Sequence, residues 1–310
     1  MKHVWRISWA VLSFVCLAVS MSSAAQVSVE PRTYNISLMT VDMTVSANYY
    51  YSDESSGKPL LVMAHGGTYG KWLWDVPGAS WKEAVVGELG YPMLSLDLPG
   101  YGDSSHVQGD FLTPINTALA MVKVLNAIKE NQSSPIIWVG HCFGGNIGNY
   151  IGAMSPGLID GLVNLGWLHS NMPITEMDAA LMAQGPYINV PNELRVYNYY
   201  LPGAESSVIE FDMNHAYALP RGNMWAKLGA DRHVLNQISD PVFLSEGDKA
   251  MPLMNYSLEE EAALYSSARS VTTYLQTDTG HLVPLHKKYK ELINEIDAWI
   301  RGVVLQGGGE

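Results

Sequence analysis

The sequence predicts an α/β fold, with a mostly parallel twisted sheet, helices on both of its faces and a helical lid insertion. Short apolar runs recur along the chain, amphipathic helical patterns stand between most of them, and one long interval breaks this alternation. The 310 residues are 47% hydrophobic and 15% charged, which supplies enough apolar material for a large core and argues against disorder.

The apolar runs are short and continuous, as in strands that are buried on both faces. Two earlier stretches, residues 34–38 and 44–51, predict an antiparallel start to the sheet. Apolar residues at helical spacing predict helices over residues 113–130 and over a final segment that contains Leu292 and Val303. The predicted parallel strands are Leu60–Ala64, Pro92–Leu96, Ile136–Val139, Leu162–Leu165, Val242–Leu244 and Val271–Leu275.

The long interval, residues 169–239, is rich in Met, Tyr and Trp. It predicts a mostly helical lid whose flexible and aromatic wall suits a bulky, fairly apolar small molecule. The alternative is an additional helical layer without a lid function. The core of the fold is therefore predicted in two parts, residues 26–168 and 240–304, with a flexible tail at 305–310.

The first 25 residues resemble a signal peptide, with Lys2 and Arg6 ahead of an apolar run and a cleavage site of small residues. They predict a secreted protein or one of the secretory-pathway lumen, and an uncleaved anchor is the alternative. The apolar run is too short for a comfortable membrane span, and no later segment is apolar enough for one. Sequons at Asn35, Asn131 and Asn255 suit a glycoprotein.

The net charge disfavours some classes of partner, and the cysteine content limits the possible roles of the thiol. The formal net charge of −12 disfavours nucleic acid and anionic membranes. Of the two cysteines, Cys16 lies in the leader, so Cys142 is alone in the mature chain and is either buried or used chemically. The histidines are scattered and no paired-cysteine motif exists, so we predict neither a metal nor a cofactor.

The segment after the Ile136–Val139 run decides between these two uses of the cysteine. Its sequence, Gly140-His141-Cys142-Phe143-Gly144-Gly145, is a G-x-C-x-G-G motif between an apolar strand and a helical stretch. A tight turn of this kind presents the nucleophile at the edge of the sheet, and the start of the helix favours a thiolate there.

With these residues the chain resembles the α/β-hydrolase family, in its esterase-like branch, over about residues 34–304. The nucleophile is Cys where most members carry Ser. The turn at residues 140–145, called the elbow below, is the only part that resembles dienelactone hydrolases and polyhydroxyalkanoate synthases. The other matching motifs, in family order, are His65-Gly66-Gly67, Asp97-Leu98-Pro99-Gly100-Tyr101-Gly102 with Ser104, Ser245-Glu246-Gly247-Asp248 with Pro252, and Gly280-His281-Leu282-Val283-Pro284.

The resemblance implies a triad of Cys142, Asp248 and His281. Glu246 is a weaker substitute for the acid, whereas Asp240 precedes its strand and so lies at the wrong end of the sheet. Chemically, the imidazole would draw the proton from the thiol, and the carboxylate would fix the imidazole.

Four further residues are predicted to surround this triad. The backbone N–H groups of Gly67 and Phe143 are expected to bind the developing oxyanion. His65 is expected to orient its own loop through hydrogen bonds, and His141 is expected to pack beside the site rather than act as the base.

Three functions remain open at this point. The first is hydrolysis of a carboxylic ester or lactone through an acyl-thioester. The second is acyl transfer or cyclisation through the same thioester. The third is non-catalytic ligand binding on the hydrolase fold. In each case the partner is a small molecule, and the oligomeric state is open.

Overall fold

The computed structural model describes residues 25–170, 174–251 and 256–306. Nearly all of the predicted signal peptide, including Cys16, lies outside this part of the chain. Pro252 and Asn255 also lie outside it, as does most of the predicted tail.

An eight-stranded sheet forms the centre of the molecule, in the order β1-β2-β6-β3-β7-β8-β11-β12. The first two strands pair antiparallel, and β2 also pairs antiparallel with β6, whereas all later pairs are parallel. The predicted α/β fold, with a mostly parallel sheet, flanking helices and an antiparallel start, is confirmed. The strands of this sheet are β1 (Ser28–Leu38), β2 (Val41–Tyr51), β3 (Leu60–Ala64), β6 (Met93–Leu96), β7 (Ile136–His141), β8 (Gly161–Leu165), β11 (Val242–Gly247) and β12 (Val271–Gln276).

Helices and short ribbons connect these strands. Two antiparallel ribbons lie apart from the main sheet: β4 (Asp75–Val76) with β5 (Ala79–Ser80), and β9 (Tyr187–Ile188) with β10 (Leu219–Pro220). The α-helices are α1 (Pro114–Lys129), α2 (Phe143–Met154), α3 (Glu176–Met182), α4 (Asn192–Arg195), α5 (Ser206–Asn214), α6 (Leu258–Ala262) and α7 (Tyr289–Trp299). The 3-10 helices are Asp53–Ser55, Lys71–Trp74, Val196–Asn198, Leu201–Gly203, Arg221–Leu228, Ala230–Gln237 and Val283–Leu285, and the π-helices are Lys82–Glu88 and Ile300–Val304.

Two apolar cores cover the two faces of the sheet. Neighbouring residues of a strand point to opposite faces, so each buried strand contributes side chains to both cores. In β3, Leu60 and Val62 pack with α1 and α2, whereas Leu61 and Met63 pack with α7 and the Lys82–Glu88 helix. All five residues of β3 are buried. This double burial explains why the parallel strands are continuous apolar runs in the sequence.

Residues 169–239, called the insertion segment below, connect β8 to β11 and contain α3, α4, α5 and the β9–β10 ribbon. Their helices are short, and several are 3-10 helices, so the segment is helical only in part. It reaches the loop that follows β3: Tyr217 N–H donates to the Thr68 carbonyl over 2.8 Å.

Within the described part of the chain, no helix combines the length and the apolar character that crossing a bilayer requires.

Candidate active site

Cys142 lies at the turn where β7 ends and α2 begins. Its backbone has φ 51° and ψ −115°, a conformation that L-residues rarely adopt. The turn is held by a 2.7 Å hydrogen bond from Cys142 N–H to the Leu165 carbonyl and by bonds from Gly145 and Asn146 N–H to the Cys142 carbonyl. The strained residue is therefore fixed from both the sheet and the helix.

Glycines are required around this turn because the backbones approach too closely for a side chain. A Cβ atom at Gly140 would lie 2.2 Å from the Gly144 carbonyl oxygen. One at Gly144 would lie 2.3 Å from the carbonyl oxygen of Ala64, and one at Gly145 would lie 2.3 Å from Asn164 Oδ1. The G-x-C-x-G-G spacing thus follows from the packing of β7, α2, β3 and β8.

The loop after β12 brings His281 beside the Cys142 thiol. Burial disfavours a thiolate, but the adjacent His281 and backbone N–H groups together lower the pKa of Cys142 below its usual range. Burial likewise disfavours an imidazolium, but the charges of Cys142 and Glu246 raise the pKa of His281 well above its usual value. Both shifts favour a thiolate–imidazolium pair. Cys142 remains partly exposed.

The carboxylate beside His281 is that of Glu246, not that of the predicted Asp248. Glu246 Oε2 lies 3.5 Å from His281 Nδ1, and the Glu246 side chain is fully buried. At this distance the two groups form an ion pair but not an aligned hydrogen bond. Neither atom has a hydrogen-bond partner among the described residues. Such contacts are often long before substrate binds.

Asp248 faces elsewhere because the chain has already turned away from the sheet. Its carboxylate lies 2.8 Å from Lys249 Nζ and accepts a 3.2 Å bond from Thr279 N–H. β11 ends at Gly247, so Glu246 still occupies a strand position. That position points toward the loop after β12 that carries His281, called the histidine loop below. In the structure, therefore, Glu246 takes the place beside His281 that was predicted for Asp248.

Two backbone N–H groups lie beside the Cys142 thiol. They belong to Phe143, the first residue of α2, and to Gly67, in the loop after β3. These are the two predicted oxyanion donors, and the structure brings both to Cys142. Gly66 allows this approach, since a Cβ atom there would lie 3.0 Å from the Cβ of Cys142.

His65 and His141 are both buried. His65 holds the loop after β3 in place, and His141 holds the histidine loop. Leu98 N–H donates to His65 Nε2 over 3.0 Å, and His65 Nδ1 donates to the Gly66 carbonyl over 2.7 Å. Burial lowers the pKa of His65 to about 4, so its ring is neutral. His141 Nε2 donates to the His281 carbonyl over 3.1 Å, and burial together with the charge of His281 lowers its pKa.

Sequence analysis missed His286, which holds the histidine loop. Its Nε2 accepts bonds from Gly280 N–H over 3.0 Å and from Tyr200 N–H over 3.1 Å. Its Nδ1 donates to the Leu282 carbonyl over 2.7 Å. A second histidine five positions after His281 is the only sequence signal for this role.

The fold and the site together define a class: a mostly parallel sheet with a strained residue between a strand and a helix, a histidine loop and two backbone N–H groups at one edge. A sequence profile of the Alpha/beta hydrolase family matches residues 61–294. The chain belongs to this family.

Curated relatives match a shorter part of the chain. It is 28% identical over 108 residues to a pimeloyl-[acyl-carrier protein] methyl ester esterase of Vibrio vulnificus, covering 34% of this chain and 36% of that protein. It is 27% identical over 115 residues to protein phosphatase methylesterase 1 of Bos taurus, covering 37% and 28%. The chain thus spans about a third of the length of these relatives.

Among solved structures, the fold is similar to that of a thermophilic esterase from Thermogutta terrifontis. The TM-score is 0.66 at 16% identity, and the match covers 88% of this chain and 99% of that one. At this level of identity the likeness concerns the fold alone.

Proposed function

We propose that the protein hydrolyses a carboxylic ester or lactone through Cys142, His281 and Glu246. The observation that carries the proposal is the convergence on one sulfur atom of an imidazole and two backbone N–H groups. The buried carboxylate of Glu246, 3.5 Å behind the imidazole, completes the arrangement. A nucleophile, a base, a group that orients the base, and oxyanion donors are the parts that acyl transfer requires.

The proposed reaction has two halves. The Cys142 thiolate attacks the carbonyl carbon, and the oxyanion that forms is bound by the N–H groups of Gly67 and Phe143. The C–O bond then breaks, and His281 gives its proton to the leaving alkoxide. In the second half, water attacks the thioester while His281 takes its proton, and the thiolate leaves as the acid is released.

Glu246 is assigned the role of holding His281 in position and stabilising its positive charge. Its carboxylate is fully buried, so its charge is poorly screened where the imidazolium forms. Both relatives are named as methyl esterases, which supports a carboxylic ester as the substrate class.

The test is intact-mass spectrometry of the purified protein after exposure to activated esters, lactones and thioesters. We expect transient acylation that is confined to Cys142 and absent from Cys142→Ala, with release of free acid. Hydrolysis that persists in Cys142→Ala would reject the mechanism. Consumption of the ester without free acid, with the acyl group on an added amine or alcohol, would favour acyl transfer instead.

We also propose that the insertion segment acts as a lid. Contacts of the segment with the loop after β3 support this role.

We further propose that the mature protein is a secreted glycoprotein. The exposure of Asn35 and Asn131 supports glycosylation. Expression through a eukaryotic secretory pathway should yield protein in the medium whose mass falls on treatment with an N-glycosidase. Retention in the cell without glycans would contradict this localisation.

A further inference from the structure

Thr68 follows the oxyanion donor Gly67 and has a strained backbone. Its φ is 70°, in the left-handed region that β-branched residues avoid. A conformation of this kind persists only where the surroundings hold it. Because Thr68 is joined directly to Gly67, any relaxation of its backbone would shift the Gly67 peptide relative to Cys142.

Two polar groups of Thr68 are hydrogen-bonded, and its N–H lies beside the Tyr101 hydroxyl. Its carbonyl accepts from Tyr217 N–H over 2.8 Å, and its Oγ1 accepts from Arg195 Nε over 3.2 Å. Two of these partners, Arg195 and Tyr217, belong to the insertion segment. Tyr101 is itself tied to that segment by a 2.6 Å bond to Asn223 Oδ1.

Arg195 is well suited to hold this loop because it is itself immobilised. Its side chain is 1% exposed and forms an ion pair with the fully buried Asp212. The Asp212 carboxylate also accepts hydroxyl bonds from Tyr199 over 2.8 Å and from Tyr69 over 3.3 Å. Tyr69 is the residue after Thr68, so the buried ion pair contacts two consecutive residues of the loop.

We propose that Arg195 and Thr68 are positioning residues for the oxyanion donor, and that the insertion segment thereby builds the oxyanion hole as well as covering it. This inference rests on the proposed ester hydrolysis. In this view Arg195 acts through Thr68 and touches no reacting atom. Displacement of the segment would remove the two hydrogen bonds, from Arg195 and Tyr217, that hold Thr68 in its strained conformation, and would misplace Gly67.

Two reactions of Cys142 separate this role from a general structural one. Acylation by p-nitrophenyl acetate passes through an oxyanion and needs the Gly67 donor. Alkylation by iodoacetamide forms a C–S bond at a saturated carbon as iodide leaves, so it needs the thiolate but no oxyanion hole. Because the Gly67 N–H also helps to lower the pKa of Cys142, both rates are taken at the high-pH plateau where the thiol is fully ionised. The ratio of the two plateau rates therefore reports on the oxyanion hole.

The matched variants are Thr68→Val and Thr68→Ser. Valine keeps the shape and branching of threonine but removes the acceptor for Arg195, whereas serine keeps the hydroxyl. We expect the acylation rate of Thr68→Val to fall about 10- to 100-fold, as for a misplaced catalytic donor, with the alkylation rate unchanged. Thr68→Ser should restore acylation to near the wild-type rate.

Arg195→Lys provides a second route if Thr68→Val does not fold. It keeps the charge beside Asp212 but lacks the Nε–H that reaches Thr68, so it should lower acylation in the same selective way. Acylation at the wild-type rate in both variants, or an equal loss of acylation and alkylation, would overturn the inference while ester hydrolysis stands. Wild-type protein that is alkylated but never acylated would overturn the proposed function and this inference together.

Discussion

Two histidines in the described part of the chain, His281 and His169, each face a buried carboxylate, and they differ in what the second ring nitrogen meets. His281 has Glu246 at 3.5 Å from Nδ1, and its other side contacts the Cys142 thiol. His169 has Glu261 at 2.7 Å from Nδ1 and Asp231 at 3.0 Å from Nε2. The first histidine is left with a partner that can exchange a proton, whereas the second is enclosed by two anions.

Burial and bonding make the His169 cluster a structural cross-link. Asp231 Oδ2 also accepts from Asn149 and Trp167, and Glu261 also accepts from Tyr256. The Nε2–Oδ1 contact has the length of an ion pair but not the angle of a hydrogen bond. Burial disfavours the imidazolium, but the contacts with the Asp231 and Glu261 carboxylates raise the pKa of His169 to about 9. A buried histidine between carboxylates is thus no sign of catalysis by itself.

Removal of the imidazole from each site should separate the two roles most strongly. We expect His281→Ala to lower kcat for ester hydrolysis by at least about 10⁴-fold, because the general base is lost. His169→Gln should leave kcat unchanged. The measurement is steady-state hydrolysis of p-nitrophenyl acetate by folded protein. A large loss of kcat in folded His169→Gln would contradict the comparison.

The next effect concerns the carboxylate that orients His281. We expect Glu246→Gln to lower kcat by about 10²- to 10⁴-fold, because the amide keeps the shape but does not stabilise the imidazolium. Asp248→Asn is the matched control and should retain near wild-type kcat, since its carboxylate pairs with Lys249. Kinetics in which Asp248→Asn is the more damaged variant would restore Asp248 as the acid.

The two histidine substitutions should affect stability in the reverse order: His169→Gln should destabilise the fold more than His281→Ala. Replacement of His169 by Gln leaves two buried carboxylates without their cation, which typically costs about 3 to 5 kcal/mol in the free energy of unfolding. Urea denaturation at pH 7 measures this, with His281→Ala as the comparison. A change in the free energy of unfolding no larger than that of His281→Ala would argue against the cross-link.

The same cluster predicts a pH dependence. The folded pKa of His169, about 9, lies above the unfolded value of roughly 6.5. Its stabilisation is therefore complete below pH 6.5 and is lost as pH rises through 9, by about 3 kcal/mol in total. His169→Gln should lack this loss when urea midpoints are compared between pH 6 and pH 10.

The smallest effect concerns thiol reactivity. Because His281 lowers the pKa of Cys142, alkylation by iodoacetamide should reach half its maximal rate below the ordinary thiol value of about 8.5. In His281→Ala the lowering influence is lost and burial remains, so the midpoint should move to higher pH. Equal midpoints in the two proteins would contradict the thiolate–imidazolium pair.

The sequence alone determined the features that depend on local patterns. Buried parallel strands are continuous apolar runs, so each run predicted a strand, and Leu60–Ala64 matches β3 in both bounds. The elbow glycines follow from close backbone contacts within a few residues, and the strand–turn–helix context indicated Cys142. The histidine loop was equally local, and the oxyanion donors followed from the family motif.

Only the tertiary structure decided which groups meet across long separations. Glu246 and Asp248 lie two positions apart, and the end of β11 between them determines which carboxylate faces His281. Residues 169 and 261 of the cross-link are 92 positions apart, and Arg195 reaches Thr68 across 127. No local pattern encodes such contacts, because they depend on how the insertion segment packs against the loops at the edge of the sheet.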